Sequence, residues 1–232
     1  MNAALPHIVI AIDGPAASGK SSVARALARR LAFAYVNTGA MYRAATWLVV
    51  SKNIPPDDAE KVQSLLQSTG ISCGLRNGES TILLDGIDPS EHLVDESVNA
   101  NVSAVSSIPE VRRLLVEKQR AYSAGHDLVM EGRDIGSVVF PETPYKFYVD
   151  ASPEVRAMRR ARQGLADSIA QRDKFDSSRR TSPLIIAEDA HVIDSSNLTI
   201  EGVVGEIIGR LKQKGLEIVE SPAEVRRTMI HG

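Results

Sequence analysis

The chain has a single cysteine, Cys73, so it can form no internal disulfide and no multi-cysteine metal site. It also lacks an excess of charge of one sign. The net charge is -2, which leaves no polyanion footprint over the whole chain, and no nucleic-acid partner is expected. Any anion site must therefore be a local cluster of Arg and Lys. No apolar run approaches the roughly 20 residues of a membrane span, so no membrane partner is expected. The start, "MNAALPHIVIAIDGP", has neither the basic opening nor the apolar run of a signal peptide, and a cytoplasmic location is expected. Repeats and low-complexity segments are missing, and no catalytic His or Cys stands out. What remains is an ordinary globular composition, 43% hydrophobic and 24% charged over 232 residues. That length suffices for one sizeable core with an inserted subdomain.

Short apolar runs alternate with helical periodicity. "HIVIAID", stopped by Gly14-Pro15, has the pattern of a buried parallel strand. Val23, Leu27 and Leu31 recur every four residues, so a helix starts near Lys20. "FAYVNTG" predicts a second strand, and 41–51 and 57–67 predict helices. From Gly70 the pattern changes: two short strands flank an Asn77-Gly78 turn, a strong hairpin signal. Helices are predicted over 95–105 and 109–124, the second opening on Pro109. "DLVMEG", "YKFYVD" and "AHVID" return to strand, a helix dense in arginine follows Ser152-Pro153, and Val203, Val204, Ile207, Ile208 and Leu211 mark a closing amphipathic helix. The expected fold is α/β, a doubly wound parallel sheet, with residues 70–105 as an α+β insertion.

Gly14-Pro15-Ala16-Ala17-Ser18-Gly19-Lys20-Ser21 fits G-x-x-x-x-G-K-[ST] between an apolar strand and an amphipathic helix. Glycines let successive N–H groups curl around a phosphate, and the helix N-terminus at Lys20 to Ser22 adds its positive end. Lys20 is suited to β- and γ-phosphates and Ser21 to Mg²⁺. The loop predicts a bound nucleoside triphosphate. It does not say whether the γ-phosphate goes to water, to a small acceptor, or holds a switch. Asp13, just before the loop, is either a water-mediated Mg²⁺ contact or structural.

A kinase needs a second pocket. "NTGAMYR" supplies Thr38, Tyr42 and Arg43 where a strand gives way to a helix, although Thr38 can equally cap that helix and Tyr42 can be core. "PEVRR" puts Arg112 and Arg113 in a helix's first turn, against the dipole, which favours an anionic or polar partner over a solvated pair. "EGRDIG" follows a strand directly, so Arg133 and Asp134 face the ligand crevice unless they merely close a turn as an ion pair. "RDKFDSSR" puts Arg172, Asp176 and Arg179 on one face if the stretch is helix, and Arg156, Arg159, Arg160 and Arg162 upstream give the region a positive excess that favours phosphate contact over an exposed ion-pair face.

Taken in order, "IAIDGPAASGKSS", "NTGAMYR", "IPEVRRLL", "EGRDIGSVVFP", "KFYVDAS", "QRDKFDSSRRTSPL" and "AEDAHVIDSS" give a chain that resembles the bacterial cytidylate kinases, within the nucleoside monophosphate kinases. "DGP" before the loop and "GRDIG…VFP" distinguish it from adenylate and shikimate kinases. The resemblance implies Mg²⁺-dependent transfer of phosphate from ATP to CMP or dCMP by a monomeric single-domain enzyme. It implies that residues 14–22 and Arg160 hold the ATP phosphates, with Mg²⁺ on Ser21. Thr38, Tyr42 and Arg43 would be part of the monophosphate site, Arg43 and Arg133 would hold the CMP phosphate, and Ser103, Arg112 and Asp134 would read the cytosine. Arg172 and Asp176 would take the ribose, and Lys20, Arg133 and Arg179 would stabilise the transfer. Residues 70–105 would be the monophosphate-binding subdomain and 157–180 the lid. Only eleven residues separate Arg160 from Arg172, a shorter arm than the family carries.

The base assignment has a physical basis. A carboxylate suits the cytosine amino group and an arginine suits N3 and O2. Uracil reverses two of these, so a preference for CMP over UMP of up to about 10⁴-fold is expected. The acceptor, a phosphate oxygen, is already ionised at neutral pH and needs no general base. Two alternatives stay open: another small-acceptor kinase, for uridylate or adenylate, and a nucleotide-regulated switch with no acceptor.

Overall fold

β1 (Val9–Asp13) is buried on both faces because its alternate residues enter separate cores. In this computed structural model, which describes residues 7–162, 173, 175–177, 179 and 183–218, β1 sits inside a sheet of seven strands. The others are β2 (Ala34–Asn37), β3 (Ile71–Arg76), β4 (Glu79–Leu84), β5 (Leu128–Gly132), β6 (Tyr145–Asp150) and β7 (His191–Asp194), in the order β3-β4-β2-β5-β1-β6-β7. All pairings are parallel except the β3–β4 hairpin, whose two-residue turn has positive φ at both Asn77 and Gly78.

The α-helices described end to end are α1 (Lys20–Leu31), α2 (Thr38–Ser51), α3 (Ala59–Ser68), α4 (Glu96–Ser107), α5 (Pro109–Ala121), α6 (Pro153–Arg162) and α7 (Ile200–Gln213). Val9, Ala11, Val36, Leu128 and Met130 pack toward α2, α3, α4 and α5. Ile10, Ile12, Val129, Phe147 and Val149 pack toward α1 and α7 on the other face. The sheet is thus doubly wound, as expected. β4 joins its edge beside β2 through Tyr35 and Glu79, and Ile82, Leu84, Val102 and Val105 from 70–105 enter the same core as α2.

The start of α2 differs from expectation for a local reason. α2 begins at Thr38 rather than Met41 because the Asn37 side chain accepts the Ala40 N–H at 3.0 Å and caps the helix. The short arm between Arg162 and Asp173, including Arg172, lies outside the described residues.

The register brings three strand ends level. Asp13 of β1 lies across from Gly132 of β5, and Asn37 of β2 across from Glu131. The glycine loop, the start of α2 and the Arg133–Asp134 turn therefore leave the sheet side by side at its carboxyl edge, where open α/β sheets bind ligands.

Candidate active site

The glycine loop is shaped by close backbone approach. A Cβ at Gly14 would lie 2.1 Å from the Val149 carbonyl oxygen, so only glycine fits. Gly19 caps α1 with φ of 92°. Behind the loop, Arg159 donates to the Ser18 carbonyl at 3.0 Å and to the Ser195 carbonyl at 2.8 Å, and the Ser195 hydroxyl donates to Ser18 at 2.7 Å. Lys20 is buried and donates to the Pro15 carbonyl at 3.0 Å. Burial, then the positive charge of Arg133, lowers its pKa to about 7, with Arg43 acting in the same direction. An anion arriving here favours the ammonium.

Two clefts open from this loop. The donor-side cleft runs over Ala16, Ala17, Ser18, Gly19, Ser22, Arg159 and Arg160 to Leu198 and Ile200. The other is lined by Thr38, Tyr42, Ser103, Arg112, Asp134, Asp176 and Arg179. Lys20, Ser21, Arg43 and Arg133 line both, so the clefts meet at three cations and one hydroxyl. Two anions can be brought together there with their repulsion offset.

Thr38 is not the α2 cap. Its hydroxyl donates to the Glu131 carbonyl at 2.8 Å, tying α2 to the end of β5. Tyr42 is buried at the cleft wall with the Arg112 guanidinium 5.1 Å from its ring centroid. Of the predicted arginine pair, Arg112 points inward and Arg113 is exposed. Arg112 is ion-paired with Asp134, both buried, and donates to the Ser106 carbonyl at 3.2 Å. Arg112 Nε is buried without a partner among the described residues, a donor left for an incoming acceptor. Arg133 donates to the Gly14 carbonyl at 2.6 Å and to Asp176 at 2.8 Å. Asp176 also pairs with Arg179, which donates to the Ser106 hydroxyl at 3.0 Å. Every described residue that the resemblance assigns to the site lines one cleft or both, apart from Gly14 and Pro15, which contribute loop backbone, whereas Arg113 and Arg156 line neither cleft.

Three residues of the site escape a sequence reading. Glu131, the buried penultimate residue of β5, faces the cleft and is the next influence on Lys20 after burial and Arg133, opposing their effect. Its only sequence signal is a lone acid closing the apolar run "DLVM". With Ser21 it supplies the oxygen donors that a hard cation such as Mg²⁺ takes. Ser106 lies one turn after Ser103 on α4 and touches both Arg112 and Arg179. Asp173 accepts the Ala16 N–H at 3.2 Å and pairs with Arg156.

The family model for cytidylate kinase matches residues 10–213. A cytidylate kinase from Caldanaerobacter subterraneus subsp. tengcongensis is 43% identical, over 89% of this chain and 95% of its own length. One from Clostridium botulinum strain Loch Maree is 42% identical, over 89% of this chain and 99% of its own. Among solved structures, a gluconokinase from Sinorhizobium meliloti 1021 shares 14% identity and a TM-score of 0.47, over 90% of this chain and 93% of its own. The matched stretch takes in the glycine loop, both cleft walls and the arginines between them, and on that extent of likeness the chain belongs to the cytidylate kinase family.

Proposed function

We propose that the chain transfers the γ-phosphate of ATP to CMP or dCMP, giving ADP and CDP or dCDP. The observation that carries this is the junction of the two clefts at Lys20, Ser21, Arg43 and Arg133. A switch has no use for a second anion pocket. ATP lies over the glycine loop with its phosphates on the loop N–H groups, Lys20 and Arg160. Leu198 and Ile200 give that cleft an exposed apolar end. Ser21, with Glu131 beside it, would hold Mg²⁺, which would supply charge neutralisation to the triphosphate.

The acceptor phosphate lies against Arg43 and Arg133, with Thr38 and Tyr42 on the wall behind. The Arg112–Asp134 pair reads the base: the carboxylate accepts from the cytosine amino group and Arg112 donates to its ring acceptors, with Ser103 beside them. Asp176 and Arg172 serve the ribose, and Arg179 clamps the phosphates. The work of the protein is alignment and charge compensation, with no general base. Residues 70–105 close over the monophosphate and 157–180 act as the lid, on a monomer. An arm this short excludes water less completely, so ATP hydrolysis relative to transfer should exceed that of longer-armed relatives.

The deciding experiment is ATP-dependent phosphorylation of CMP, dCMP, UMP and AMP side by side. CMP and dCMP should be turned over far faster than the others. Comparable kcat/KM for UMP removes the base assignment, and hydrolysis unaffected by any monophosphate removes the kinase reading.

A further inference from the structure

Asp13 is the last residue of β1 and is only 6% exposed. Ala11, two residues before it, enters the apolar core on the α2 side, so the strand's alternation calls for an apolar side chain at 13. A carboxylate there is costly to bury and needs partners. Its hydrogen-bond partners are two successive backbone amides: Oδ1 accepts the Ile135 N–H and Oδ2 the Gly136 N–H, both at 2.8 Å. These amides open a wide turn in which Val139 N–H reaches the Asp134 carbonyl at 3.1 Å and Phe140 N–H the Ile135 carbonyl at 2.7 Å. Such i to i+5 turns are unusual and recur at functional sites.

The next residue along the chain completes the arrangement. Gly14 opens the glycine loop, and its carbonyl accepts from Arg133 at 2.6 Å. Two consecutive residues, 13 and 14, thus hold both ends of the segment 133–136, with Asp134 between the two points of attachment. The rest of the acceptor wall comes from other elements. Among the described residues, these contacts and the flanking β1–β5 ladder tie the turn directly to the start of the phosphate cradle.

We propose that Asp13 is a positioning residue, whose carboxylate clamps the 135–136 amides so that the Arg133–Asp134 turn stands at a fixed distance and angle from the glycine loop. It touches neither nucleotide and acts through Arg133 and Asp134. The inference rests on the reading of those two residues as acceptor contacts. A purely structural carboxylate would support the sheet edge and leave discrimination between acceptors untouched. A positioning residue sets where Asp134 stands, so its loss moves rate and base preference together.

Asp13→Asn tests this. The amide keeps the shape but presents an NH₂ group to one of the two N–H donors. Its kcat for CMP should fall by about 10²-fold, the cost of a misplacement of roughly 1 Å. The ratio of kcat/KM for CMP over UMP should fall by about tenfold or more, while KM for ATP changes by less than about threefold. A folded Asp13→Asn variant that keeps both rate and selectivity overturns the inference. So does a loss confined to KM for ATP. Wild-type chain that leaves CMP unphosphorylated overturns the functional reading and this one with it. Should the variant not fold, amide exchange in the wild type decides: slow exchange at both Ile135 and Gly136 supports the clamp, and rapid exchange at either overturns it.

Discussion

The two sides of the site are built in different ways. The donor side is built around one continuous stretch, residues 14–22, whose backbone N–H groups would do most of the binding and where a close approach to Val149 dictates glycine; Arg159, Arg160, Leu198 and Ile200 line the rest of that cleft. The acceptor side has no continuous stretch. Its wall comes from the start of α2, from α4 and α5, from the turn after β5 and from residues 176 and 179, and its polar side chains are tied to one another. A backbone cradle binds any phosphate chain, whereas a web of paired side chains can choose a base. It follows that damage to the donor side should cost rate and leave stability intact, while damage to the acceptor side should cost stability and selectivity together.

The largest effect expected is at Lys20. Lys20→Met should lower kcat by about 10³-fold or more, through loss of charge compensation at the phosphates. The thermal midpoint should not fall, because the variant removes a buried amine whose proton is already weakly held. A coupled assay and a melting curve test both halves. A change confined to KM would make Lys20 a ground-state contact only.

At Asp134 the expectation reverses. Asp134→Asn leaves the buried Arg112 without its counter-charge, and removing one partner of such a pair costs about 3–5 kcal/mol. The preference for CMP over UMP should fall by about 10²-fold or more. The double variant Arg112→Met, Asp134→Leu sharpens the comparison. It should recover most of the denaturant stability and none of the base preference. Recovery of both would separate base choice from this pair.

The same division explains what the sequence discloses. The glycine loop is legible because its spacing and its flanking strand and helix are all local, and the parallel sheet is legible from buried apolar runs stopped by turn residues. Arg133 and Asp134 are legible for a related reason: they follow a strand immediately. Which of Arg112 and Arg113 faces inward depends on the phase of α5 against the sheet, and local charge arguments do not give it. Asn37, not Thr38, caps α2, a choice between adjacent residues that hinges on where the strand ends. Ser106 and Asp173 acquire their contacts only through tertiary packing, and the partners of Asp13 are 122 and 123 residues away, fixed by the β1–β5 register.

Asp13 links the two sides, and its burial should show in its titration. Burial raises its carboxyl pKa to about 7, against the two amide bonds and the weaker pull of Lys20, with Asp134 adding to the rise. Tyr148 on β6 also faces it. The folded chain keeps a proton that the unfolded chain releases near pH 4. Its contribution to stability is therefore complete below about pH 4 and is lost as pH rises toward 7, by at most about 1.4 kcal/mol per unit. Relative to Asp13→Asn, wild-type unfolding free energy should decline over that window and run parallel above it. Parallel behaviour throughout would mean that the carboxylate is not strained by its burial.

The smallest effect tests the donor side at Asp173. Asp173 places a carboxylate on the Ala16 amide, one of the loop donors that a phosphate would use. It also engages Arg156, which reaches the Ala151 carbonyl at 3.1 Å and the Ala16 carbonyl at 3.4 Å. An anion from the chain thus stands where an anion of the ligand would go, and ATP bound there would compete with it. Asp173→Ala should free the amide and the arginine, tightening ATP binding by up to about tenfold, the worth of one charge-assisted hydrogen bond. The equivalent change across the cleft has the opposite sign: Asp176→Ala leaves Arg133 and Arg179 facing each other without their shared carboxylate and should destabilise the fold. Calorimetric titration with ATP and a denaturant curve distinguish the two variants. Unchanged or weaker ATP binding by Asp173→Ala would make that carboxylate part of the cradle's support, and the donor side would then depend on paired side chains as the acceptor side does.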